Sequence, residues 1–165
     1  MSGRAQEIAV DQSGNVYLAD TSGNRILRID ASGRTEDIAG TGERGYSGDG
    51  GPAVSAELSS PRGVAVDSSG TIYIADSRNN VVRKVDAAGI ITTIAGNGGK
   101  GDWGDGGPAT SASLSAPTGL AIDGEGDLIV FDSGNGRLRM VAADATIATV
   151  AVVPSDPSIG EPTSP

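Results

Sequence analysis

Two aspartates stand in the most glycine-rich stretches of the chain. Asp49 lies in SGDGGPA (47–53) and Asp105 in WGDGGPA (103–109). A glycine-rich loop around one carboxylate can cradle a phosphate, hold a calcium ion, or turn the chain. Phosphate binding needs backbone N–H groups at a helix start. Pro52 and Pro108 stand where a helical turn could open. Asp49 and Asp105, three residues earlier, would repel an anion there, and no Lys-Ser/Thr pair follows as in a P-loop. Calcium takes about 6–8 oxygen ligands. Asp102 and Asp105 are the weak metal candidates, two carboxylates in the second loop. Turn chemistry accounts for every residue type present. Gly48, Gly50 and Gly51 supply unusual backbone angles, and Asp49 is expected to cap N–H groups of its own loop. Leu58 and Leu114 are expected to pack beneath the crossover.

The rest of the composition removes whole classes of chemistry. There is no His and no Cys. Ser–His triads, His-held zinc, disulfides and thiol catalysis are therefore excluded. No cofactor is implied. A net charge of −9 argues against nucleic acid and against anionic membrane surfaces. No apolar run approaches membrane-spanning length, so no membrane insertion is expected. MSGRAQEIAV has no apolar segment of the secretory kind. A carboxylate-pair hydrolase survives on composition, but nothing nominates the pair.

The positioning elements come from an internal repeat. NVYLAD ends at Asp20, TIYIAD at Asp76 and DLIVFD at Asp132, so the two intervals are equal. EIAVD, GVAVD and GLAID keep the same spacing, as do RILRID, VVRKVD and RLRMVA. Each unit holds four short runs rich in Val and Ile, bounded by turns such as SSG, GEG and ASG. The second run is apolar at nearly every position, which predicts burial on both faces. Four short strands per unit describe a propeller blade. The expected fold is all-β, with three four-stranded blades at about 5–60, 61–116 and 117–153 within a domain of residues 1–153. Residues 154–165, rich in Pro and Ser, are expected to form a disordered tail.

The stretch PRGVAVDSSGTIYIADSRNNVVRKVD (61–86), followed by ITTIAGNG and GDGGPA, resembles the NHL repeat. It is most similar to the bacterial variety with glycine-rich inserts between blades. The resemblance implies a β-propeller of about six blades, and binding far more often than catalysis. Three repeats are then half of a six-bladed ring, open or closed by pairing with a second copy as a homodimer. A fragment of a larger sensor protein is the other explanation. The resemblance also implies an extracytoplasmic or secreted setting. Some related propellers are zinc lyases or calcium lactonases. The missing His bars the first, and a metal-dependent hydrolase or lyase is kept as the alternative function.

In an up-and-down blade the turns after strands one and three share one face. The turns after strand two and the crossovers share the other. That second face gathers TSGN, SRNN and SGNG with the long inserts 40–61 and 96–117. It is the expected recognition surface for a protein or an extended, glycan-like ligand. Tyr46 and Trp103 either pin the inserts to the blades or offer stacking surface. Glu43, Arg44, Lys100, Asp102 and Arg78 would rim the site. Arg25 and Arg137 are expected to pair with blade carboxylates. Asp20, Asp76 and Asp132, each near an Asn (Asn24, Asn80, Asn135), are read as closing local Asx turns in preference to ringing a ligand.

Overall fold

Each run of Val and Ile forms a strand, and each turn cluster ends one. The computed structural model describes residues 5–153. The disordered tail expected at 154–165 lies outside them. The first sheet contains β1 (Ala5–Val10), β2 (Val16–Asp20), β3 (Arg25–Ile29) and β4 (Thr35–Ala39). The second contains β5 (Gly63–Val66), β6 (Ile72–Asp76), β7 (Val81–Val85) and β8 (Ile91–Ala95). The third contains β9 (Leu120–Ile122), β10 (Leu128–Asp132), β11 (Arg137–Val141) and β12 (Ile147–Val152). All three are antiparallel meanders whose spatial order follows the sequence. They are three propeller blades, as the repeat requires.

The repeat holds down to register. Val10 faces Val16, Val66 faces Ile72, and Ile122 faces Leu128. The third strand of every blade meets the fourth across an irregularity just before Leu27, Arg83 or Arg139. Such a bulge re-aims the side chain beside it. Strands β1, β5 and β9 lie side by side, so the first strand of each blade is the innermost.

Two apolar clusters fill the gaps between blades. Tyr17, Ala19 and Ile26 of the first blade meet Ile72, Ile74 and Val85 of the second. Ala75 and Val82 of the second meet Leu128, Val130 and Val141 of the third. The middle blade is thus buried on both faces. The second strands of the outer two blades are not: in β2 and β10 burial alternates. The expectation of two-faced burial fails there because each of those sheets packs against one neighbour within the described residues.

The turns after strands one and three are Asx turns. Asp67 Oδ1 accepts the N–H groups of Ser69 and Thr71, and Asp123 Oδ1 those of Glu125 and Asp127. Asp30 and Asp86 repeat the device after strand three. In the third blade Ala142 replaces that Asp, and Ala145 takes the left-handed position at φ 64° that Gly33 and Gly89 hold in the others. The carboxylates of these turns are engaged locally, which makes this the plain face of the blades.

Candidate binding face

Each insert contains a single 3-10 turn, Ala53–Ser55 or Ala109–Ser111, opening directly after the proline. Leu58 and Leu114 are fully buried beneath it. Gly48 and Gly104 adopt φ of 92° and 106°. A Cβ on either would lie 2.7 Å or less from the backbone or side chain of Ala56 or Ala112, so the loop doubles back on its own 3-10 turn too closely for any side chain. Gly50 shares the left-handed geometry; Gly51 does not.

Asp49 does not cap its own loop. The Gly50 N–H donates to Ile91 O, and the Gly51 N–H to Gly48 O. Asp49 instead accepts the Arg83 Nη2–H at 2.6 Å, an arginine of the next blade. Arg83 is fully buried. It also donates to the carbonyls of Ser47 (2.9 Å) and Glu57 (3.4 Å), and Asp76 Oδ2 lies 3.8 Å from Nη1. The third blade repeats both ion pairs but only one of the two carbonyl contacts. Arg139, equally buried, meets Asp105 at 2.7 Å, the Ser113 carbonyl at 3.4 Å and Asp132 at 3.8 Å. The glycine-rich motif is a latch: its Asp reaches over the next blade and holds an arginine planted there. Sequence reasoning missed both arginines. The signal was present, since Arg83 follows Asp49 by the same interval as Arg139 follows Asp105. The equivalent position of the first unit is Leu27.

Asp76 and Asp132 do more than close their own turns. Asp76 Oδ1 accepts the Ser59 N–H (2.7 Å), and Oδ2 accepts an amide hydrogen of Asn79, not Asn80 (2.7 Å). Asp132 does the same with Ser115 and Asn135. Both therefore anchor the end of the insert. Asp20 is the local Asx turn foreseen, accepting from the Gly23 N–H and pairing with Arg25. Burial pushes the Asp76 carboxyl up to about 6, against the opposing pull of Asn79, Ser59 and Arg83. Burial also raises Asp132. A carboxyl raised on folding stabilises the native state below its unfolded pKa, and that contribution is lost as pH rises through the folded value. Asp30 and Asp144, lowered chiefly by hydrogen bonds from Ser32 and Thr146, act in the opposite sense and lose stability as pH falls below the usual carboxylate range. Thermal melts should therefore be highest near pH ~4–5 and decline toward pH ~7. Asp76→Asn should flatten that decline; an unchanged slope would assign it to other groups.

The predicted site residues separate into two places. Arg44, Arg78 and Lys100 line one cavity of about 380 Å³ between the two inserts and the β6–β7 turn, together with Arg62, which sequence reasoning did not select. Glu43 is exposed beside them. Tyr46 and Trp103 do not join that cavity. The Tyr46 hydroxyl lies 2.9 Å from Thr93 Oγ1, and its ring carries the Arg83 guanidinium at 5.1 Å. It is pinned on one side yet 52% exposed, and Trp103 is 60% exposed. Asp102 and Asp105 do not converge as a metal pair. Each faces a different arginine, Arg137 at 2.8 Å and Arg139 at 2.7 Å. Among the described residues, no group of three or more carboxylates is placed to hold a metal.

A family model described as the teneurin NHL domain matches residues 34–101. Teneurin-1 of Homo sapiens is 33% identical over 156 residues, covering 79% of this chain and 6% of that protein. Teneurin-3 of Mus musculus is 41% identical over 98 residues, 52% of this chain and 4% of that protein. The chain thus spans a small fraction of the curated relatives it matches. Among solved structures, a streptogramin B lyase superposes with a TM-score of 0.63 at 19% identity, over 89% of this chain and 40% of that one. A protein of unknown function from Bacteroides thetaiotaomicron gives a TM-score of 0.69 at 24% identity, over 82% and 32%. At these identities the solved structures show the fold alone. The bacterial attribution of the inserts finds no support in the curated relatives, which are animal proteins.

Proposed function

We propose that this chain, whose relatives support an NHL-repeat family, is a non-catalytic module that binds a protein partner through its insert-bearing face. One observation carries the reading. The chain has five aromatic residues, and the two most exposed, Tyr46 and Trp103, stand on the two latched inserts. A large aromatic held out on a rigid frame loses little entropy on binding, and such residues dominate interface energetics. The plain face offers mainly self-satisfied turns. The hydrolase or lyase alternative gains no carboxylate pair from the geometry, since Asp102 and Asp105 are spent on separate arginines. An extracytoplasmic setting belongs to the same reading.

Site-specific photo-crosslinking tests it. A photoreactive residue in place of Trp103 should capture one partner that the same group in place of Ser68, on the plain face, does not. Capture confined to position 68 would overturn the reading. Pairing of copies belongs to it as well. Ile8 is 60% exposed where its repeat equivalents Val64 and Leu120 are 2% and 8% exposed, so the first blade presents a face of the kind that blades bury. Light scattering should give twice the chain mass; a monodisperse monomer would remove the homodimer.

A further inference from the structure

Among the described residues, Arg25, Arg28, Arg83, Arg137 and Arg139 are ion-paired with carboxylates. Arg34, Arg44, Arg62, Arg78, Lys84 and Lys100 are the described cations outside such pairs. Four of those six line the single cavity between the inserts. Mutual repulsion disperses unpaired like charges unless the fold holds them together. Here the fold does. The Arg44 Nε–H donates to Ser59 Oγ at 3.0 Å, while the Arg78 N–H donates to the carbonyl of the same Ser59 at 3.1 Å. Asn80 ties the second insert down: its amide donates to Gly98 O, two residues before Lys100, and its Oδ1 accepts the Ala116 N–H.

The neutral polar groups of the cavity are therefore occupied. Ser77 is occupied too, its hydroxyl donating to Pro117 O. What remains to meet a ligand is cationic. Arg62 lines this cavity and, on its other side, a second concavity that it shares with Glu7. No carboxylate lines the cavity, in a chain of net charge −9.

We propose that this cavity binds a compact, multiply charged oxyanion group, a sulfate or phosphate ester. Three guanidinium forks match the paired oxygens of such groups. Its volume, about 380 Å³, admits a sugar-sized ligand. A long polyanion does not fit the charge pattern. Beyond the four cations it would meet Glu43 and a surface that is acidic on balance.

The test is calorimetric titration of the 165-residue chain at low ionic strength, with inorganic pyrophosphate in one arm and a sulfated disaccharide in the other. One probe or both should bind at one site per chain. The tighter probe identifies the ester type. Arg78 and Lys100 are exposed and their side chains make no hydrogen bond among the described residues, so the double variant R78A/K100A should melt like wild type while binding about a hundredfold more weakly, tenfold per cation. R34A/K84A removes two unpaired cations outside the cavity and should leave affinity unchanged. Absence of binding by either probe, undiminished binding in R78A/K100A, or equal loss in R34A/K84A would overturn the proposal.

Discussion

Arg83→Ala lowers the melting temperature by about 10 °C, an expected loss of about 3–5 kcal/mol. The guanidinium is fully buried and serves four oxygens: Asp49, Asp76 and the carbonyls of Ser47 and Glu57. Its removal leaves the fully buried Asp76 with two neutral donors and no cation, and frees the first insert from the middle blade. Asp49→Ala should cost far less, about 1 kcal/mol, because its side chain is 43% exposed and water replaces part of the lost pair. Arg139→Ala in the third blade should cost somewhat less than Arg83→Ala, since Arg139 keeps both ion pairs and one carbonyl contact but has no counterpart to the Ser47 bond. Differential scanning calorimetry on the three variants decides the matter. Equal losses for Asp49→Ala and Arg83→Ala would place the energy in the exposed pair and refute the buried latch.

Leu114→Ala should destabilise the chain by about 3 kcal/mol, the usual cost of a large cavity in a packed core. Leu114 is fully buried in the cluster shared by the second and third blades, together with Ala109 of the 3-10 turn and Ala112 just after it. Two of its cluster partners are already alanines, which leaves less side chain to fill the void. Leu114→Met keeps the volume and should cost less than about 1.5 kcal/mol. If the second insert were a loose loop, both variants would melt like wild type. Urea unfolding, with midpoint and slope read together, separates a lost contact from a change in the unfolded chain.

Much of the fold was legible because its determinants are local. Short runs rich in Val and Ile between Asp- and Gly-bearing turns specify each strand, and repetition at one constant spacing converts strands into blades. The Asx turns at Asp67 and Asp123 and the 3-10 turns after Pro52 and Pro108 involve only near neighbours in sequence. The burial of Leu58 and Leu114 followed from the same local reading. The site was less legible. Arg44, Arg78 and Lys100 were selected as loop cations on one face, yet nothing in their spacing showed that they share a cavity with Arg62.

The sequence by itself determined the blade, the turns and the face on which the inserts gather, because strand and turn preferences are short-range and the repeat imposes them three times over. Only the tertiary structure decided what the two aspartates do. A carboxylate in a glycine loop is chemically ambiguous until packing chooses its partner. Blade-on-blade packing sets Asp49 over Arg83 and Asp105 over Arg139, partners that lie far apart along the chain. The same packing decided that Tyr46 and Trp103 remain largely exposed and that four cations meet without a carboxylate among them. Those outcomes depend on how one blade's insert lies across the next, and that geometry exists only once the apolar faces between the blades have closed.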